Sequence, residues 1–73
     1  MDNLKAIRLL EKGPDDYVLT KNDEAVIYAA ILDAFTPVWK NGKWWGPPEI
    51  GSFSTLRELR SVRSRLMRMV SQR

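Results

Sequence analysis

The sequence predicts a small α+β protein: a first helix, a short strand, a buried helix, a tryptophan-rich β-hairpin and a C-terminal amphipathic, arginine-rich helix. Three observations predict it. Thr20-Lys21-Asn22-Asp23 and Thr55-Leu56-Arg57-Glu58 both read as capping boxes, each at the head of an apolar run. Between them "WKNGKWWGPP", residues 39–48, sets three tryptophans and two lysines around Asn41-Gly42. Asn-Gly is the strongest short hairpin signal, because both central residues of a type I′ turn need positive φ. The chain has 73 residues and no cysteine. A domain of this size buries only about 60% of the surface its unfolded form exposes, so one thin core must serve throughout, with no disulfide or thiolate metal site to supplement it.

Residues 2–12 read as the first helix, with Asp2 or Asn3 as cap, Leu4, Ile7 and Leu10 at roughly helical spacing, and Lys12 then Gly13-Pro14 as the stop. "GPDD" is a turn, and Tyr17-Val18-Leu19 is rich enough in strand formers to read as a short strand. The first capping box then starts a helix, with Asp23 and Glu24 where the positive helix end favours anions. From Ala25 to Phe35 only Asp33 is strongly polar, the mark of a helix covered on several sides. Tyr28, Ile31, Leu32 and Phe35 are expected along its core face, with Ile27 and Ala30 beside them, and Thr36-Pro37 as its end.

The Asn41-Gly42 turn sets a register in which Lys40 faces Lys43, Trp39 faces Trp44 and Val38 faces Trp45. Alternation along a strand then puts Trp39 and Trp44 on one side, and Val38, Trp45 and both lysines on the other. Pro37 and Pro47-Pro48 keep both strands short, and so small a hairpin has to pack on something. Trp39 and Trp44 are expected in the core, whereas Trp45 is the candidate for an exposed anchor. "EIGSF" reads as a connector to the last helix, in which Leu56, Leu59, Val62, Leu66, Met69 and Val70 follow at three- and four-residue steps. Nothing stops that helix, so its end is expected to fray into Ser71-Gln72-Arg73. The expectation is a single domain over 1–73, with a compact body over about 2–53 and the helix over about 55–71.

Charge is divided unevenly. Residues 1–49 carry six basic side chains against eight acids, a net −2, whereas residues 50–73 carry six arginines against Glu58 alone, a net +5. Every lysine lies in the first segment. Arginine's planar fork suits carboxylate and phosphate, so the block is compatible with a solvated helix face, an acidic protein surface or nucleic acid. With no histidine and no cysteine, the usual nucleophile–base pairs and imidazole or thiolate metal sites are missing. Asp15-Asp16 and Asp23-Glu24 have sufficient roles in a turn and a cap. The expectation is therefore a binding protein, not an enzyme, with no cofactor, no metal and no small-molecule substrate. A start with interleaved charges, and no run approaching the ~20 apolar residues of a spanning helix, predict a cytoplasmic protein without membrane contact. A WW module is rejected because its tryptophans would be too close in sequence, and a helix-turn-helix fits poorly because a hairpin precedes the arginine helix.

Two classes remain: a regulator docking on a large protein, and a direct nucleic-acid binder that uses the arginine helix. The candidate partner-binding residues are Lys40, Lys43, Trp45, Arg57, Arg60, Arg63, Arg65 and Arg68. The run "DDYVLTKNDEAVIYAAILDAFTPVWKNGKWWGPPEIGSF", followed by "TLRELRSVRSRLMRMV", resembles the small lytic-phage regulators of bacterial RNA polymerase, as found in a Xanthomonas phage. The resemblance covers most of the chain. It implies a host-takeover protein, working in the cytoplasm of the host bacterial cell, that binds the N-terminal region of the polymerase β′ subunit. Such binding would displace the sigma factor, inhibiting host initiation, and promote antitermination near the RNA exit channel. The charge split adds the expectation that the folded body, including the hairpin, holds the polymerase while the arginine helix faces RNA or an acidic surface at the exit, with nascent RNA or DNA as a further neighbour.

Overall fold

The computed structural model describes residues 3–71, which form helix α1 (Asn3–Lys12), a 3₁₀ turn (Lys21–Asp23), α2 (Glu24–Ile31), strands β1 (Val38–Lys40), β2 (Lys43–Trp45) and β3 (Ser52–Phe53), and helix α3 (Leu56–Ser71). The expected cap at Asp2 and fraying at Gln72-Arg73 lie outside the described residues, whereas Asn3, the alternative cap, is the first residue of α1, and Ser71, expected to fray, is the last of α3. The radius of gyration, 11.5 Å, matches the roughly 11 Å of a compact globule this long. The α+β architecture is as predicted.

α1 stops where expected. The Gly13 amide donates to the Leu9 carbonyl at 2.8 Å, and Pro14 and Tyr17 close the following turn. A side chain at Gly13 would meet Leu9 O at 2.5 Å and Leu56 Cδ2 at 2.6 Å. Glycine is therefore required for the close approach of α1 to the first turn of α3. Tyr17–Leu19 runs alongside Ser54–Leu56, but its pairing amounts to a single bridge between Val18 and Thr55, with Leu19 N–H donating to Ser54 O and Leu56 N–H to Tyr17 O.

The first capping box forms, and at the second Thr55 Oγ1 accepts from the Glu58 amide at 3.3 Å. Thr20 Oγ1 accepts from the Asn22 amide at 3.3 Å, and the Asp23 carboxylate accepts from the Thr20 amide at 2.8 Å. α2, however, ends at Ile31, about one turn before Thr36-Pro37. Leu32 takes a left-handed conformation (φ 54°, ψ 36°) as C-cap, and Asp33 follows at φ 61°. The early stop corrects the expected core face. Val26, Ile27, Ala30 and Ile31 are buried, while Tyr28 and Leu32 are 42% and 46% exposed. Once the helix has ended, Phe35 can fold back against the core, where its ring lies over Gly46.

The hairpin has the predicted register, Val38 with Trp45, Trp39 with Trp44 and Lys40 with Lys43, around Asn41 (φ 53°) and Gly42 (φ 74°). The expected connector holds a third strand. A turn at Pro47–Gly51, with Gly51 at φ 75°, returns the chain so that Trp44 pairs with Phe53 and Trp45 with Ser52, giving the sheet order β1-β2-β3. α3 buries Leu56, Leu59, Val62 and Leu66 in the same core as α2, Trp44 and Phe53, whereas Met69 is 60% exposed. Among the described residues, no helix is long and apolar enough to cross a membrane.

The Tyr17 hydroxyl donates to the Asp23 carboxylate at 3.1 Å. Burial first, then that hydrogen bond and the carboxylate's charge, raise the phenol above its ordinary range. A raised acid holds its proton longer folded than unfolded, so this stabilisation is complete below the unfolded value of about 10 and is lost as pH rises through the folded one. Melting temperature should therefore fall above about pH 10, and Tyr17→Phe should show a smaller alkaline fall while being about 1 kcal/mol less stable at neutral pH. Gly13→Ala should destabilise by about 1–3 kcal/mol through overpacking, measured by denaturant melting.

Candidate interaction surfaces

The outer face of the sheet comes directly from the hairpin register. Alternation sends Trp39 and Trp44 inward and leaves Val38, Lys40, Lys43 and Trp45 outward, with Ser52 beside Trp45. Trp44 is buried, and its ring meets Trp39 edge-to-face with centroids 5.5 Å apart and planes at 65°. Its indole N–H donates to the Thr20 carbonyl at 3.0 Å. Trp45 is 37% exposed, and its indole N–H donates to the Lys40 carbonyl at 2.9 Å. That bond pins the ring across the hairpin, so an aromatic surface is held out to solvent in one orientation. Lys40 and Lys43 stand directly opposite each other, an arrangement unfavourable by about 0.2–1 kcal/mol. None of these five outward residues is an acid, so the face is open to an anionic group.

The arginine helix divides into two sets. Arg57, Arg65 and Arg68 are exposed; Arg60 and Arg63 are half-buried. Arg60 is turned into the fold: Nε donates to Leu10 O at 2.9 Å, Nη2 to Gly13 O at 2.7 Å, and Nη1 pairs with Asp15 Oδ1 at 2.6 Å. Those carbonyls are the loose end of α1, so Arg60 is the clamp that holds the first helix to the last. Arg63 Nε is buried without a hydrogen-bond partner. Glu58 accepts from Thr55 Oγ1 at 3.2 Å and Ser54 Oγ at 3.4 Å, while its amide donates to Thr55 Oγ1 at 3.3 Å. One acid of each pair is likewise engaged, Asp15 by Arg60 and Asp23 by Thr20 and Tyr17.

The structure thus brings Lys40, Lys43 and Trp45 together on the sheet, and Arg57, Arg65 and Arg68 together on α3. The two groups stand on separate elements, and Arg65 is the member of the helix set that reaches the sheet, sharing a surface cleft with Ile50 and Ser52. One feature escaped the sequence: a groove of about 640 Å³ with a floor of Leu32, Phe35, Ile50 and Leu66 and with Asp33, Glu49 and Arg65 also lining it. It exists because Leu32 turns left-handed, and no glycine or asparagine marks that position. Among the described residues, no group of three or more carboxylates gathers in a way that could hold a metal ion. Comparison with protein-family models, curated proteins and solved structures finds no match to this chain.

Arg60→Met should lower stability by about 2 kcal/mol, because two backbone carbonyls and a carboxylate lose their donor. For a domain of this length, that shifts the thermal midpoint by roughly 8–16 °C. Arg57→Met should leave the midpoint nearly unchanged, and calorimetry of both variants checks the division.

Proposed function

We propose that the chain is a docking regulator of bacterial RNA polymerase. It binds the N-terminal region of β′, displaces the sigma factor to inhibit host initiation, and promotes antitermination. It acts by binding alone, within the cytoplasm of the host cell. One observation carries the docking surface: Trp45 is exposed, pinned by its indole bond to Lys40 O, and set beside two lysines. Interface hot spots are enriched in rigid aromatic side chains, whose ordering entropy is already lost before the partner arrives. Support for the identity of the partner comes from the resemblance of residues 15–53 and 55–70 to phage polymerase regulators. A reading by binding alone agrees with the absence of histidine and cysteine, and with acids committed to caps and the Arg60 clamp.

Labelled protein should bind purified core polymerase saturably at moderate salt in the presence of excess RNA and DNA. Binding abolished by those competitors would overturn the reading in favour of a protein whose main partner is nucleic acid. Trp45→Ala should weaken polymerase binding about 10- to 30-fold while melting stays cooperative. A broadened melt would instead assign Trp45 to the core.

A further inference from the structure

We infer that the groove between the end of α2, the turn at residues 47–51 and the last turns of α3 is a docking site for a short amphipathic helix of another protein, one that presents aliphatic side chains flanked by lysine or arginine. Leu32 and Phe35 come from the end of α2 and the segment after it, Ile50 from the turn, and Leu66 and Met69 from α3. Leu66 is buried, Phe35 and Ile50 are half-buried, and Leu32 and Met69 stay exposed at the opening. At about 640 Å³ the groove has the volume of a ligand site, and a methionine at its mouth adapts to varied apolar shapes. The backbone of one wall is held in a costly conformation. Leu32 and Asp33 are successive left-handed residues, at φ 54° and 61°, and neither is glycine. A Cβ crowds the backbone there, and strain of this kind gathers at functional sites. Here it ends α2 early, leaves Leu32 at the opening and brings Asp33 to the groove.

Charge selects the occupant. Asp33 and Glu49 line the groove with Arg65 as the one cation, a net −1 in a chain of net charge +3. Arg65 also lines the neighbouring cleft together with Glu58, so its charge is shared among acids on both sides. Among the described residues, neither Asp33 nor Glu49 is in an ion pair. A cation that arrives with the occupant therefore completes the rim. A phosphate backbone or an anionic lipid headgroup would instead meet two carboxylates beside an apolar floor. No strand residue lines the groove, so an extended peptide finds no edge to pair with, whereas an amphipathic helix needs only apolar contacts at three- and four-residue steps. A second copy would offer Trp45 with Lys40 and Lys43, a head-to-tail contact that grows into open chains, and the net positive charge of each copy opposes it. The groove is built from other residues than the Trp45 face and does not rest on the polymerase reading.

The test uses the full chain and a fluorescent alanine-based peptide of about 12 residues, with leucines at three- and four-residue steps and lysines beside them. Two companion peptides replace the lysines by glutamate or the leucines by serine. Anisotropy should show saturable binding of the leucine-lysine peptide, weakened about 10-fold for either companion. Asp33→Asn combined with Glu49→Lys should reverse the preference between lysine and glutamate peptides, since asparagine tolerates the left-handed backbone while the charge of the groove changes sign. Met69→Ser should weaken binding about 5-fold with an unchanged thermal midpoint, and Trp45→Ala should bind as the parent does. In the isotope-labelled chain, amide shifts on binding should cluster at residues 32–35, 47–50 and 65–69. The inference is overturned by no saturable binding, by equal binding of the glutamate peptide, by shifts confined to residues 38–45, or by a double variant that keeps the parent's preference. Growth in mass of the chain alone with concentration, abolished by Trp45→Ala, would give the groove to a second copy and overturn the foreign partner. Because no polymerase is present, failure here leaves the docking reading to its own test.

Discussion

The hydrogen bond from the Trp44 indole to the Thr20 carbonyl is the constraint on which the arrangement of the sheet depends. A three-residue hairpin is marginal by itself in water, and an indole is costly to bury unless its N–H finds an acceptor. Thr20 supplies that acceptor while its amide and hydroxyl are engaged in the cap at the start of α2. The same side chain stacks edge-on to Trp39, and its residue pairs with Phe53 in β3. Helix start, hairpin and third strand therefore meet at one residue. With Trp44 fixed inward, the two-residue alternation of the strands leaves Trp45 no choice but the outer face.

A second constraint ties down the other side of the molecule, and it changes the meaning of the charge. The six arginines of the last segment are equivalent in a count but not in the structure. Arg60 closes the fold, Arg63 is half-covered, and Arg57, Arg65 and Arg68 face solvent. The distinction follows from helical position, because Arg60 lies toward α1, whereas Arg57 and Arg68 stand opposite the apolar stripe. The net charge of the segment therefore overstates how many of its cations stand clear of the fold.

Much of this was legible beforehand where a local rule applies. Asn41-Gly42 dictates a turn and, with it, a register that sorts three tryptophans correctly between two faces. Thr20 and Thr55 announce helix starts because the capping box is completed within four residues. The failures share a cause, which is tertiary packing overriding local pattern. α2 was read to Phe35 because its apolar run continues, but the core needs Phe35 folded back over Gly46, and Leu32 adopts an αL conformation that bulky side chains rarely take. β3 is only two residues long, below the length at which alternation can be seen. Arg60's role depends on carbonyls 47 and 50 residues away, and no spacing in the sequence encodes that meeting.

The same distances govern how the chain becomes a protein as it is made. Leu10, Gly13 and Asp15 receive their partner only when Arg60 exists, and Tyr17 to Leu19 only when Ser54 to Leu56 do. At a synthesis rate of about 5–20 residues per second, the first helix waits some 2–10 s for the last. Over that interval, α1 and α2 can meet only each other and the sheet, and the core stays open on the side that Leu56, Leu59, Val62 and Leu66 will close. Closure of the core is thus late in chain order, and a chain lacking α3 would leave its first helix unclamped.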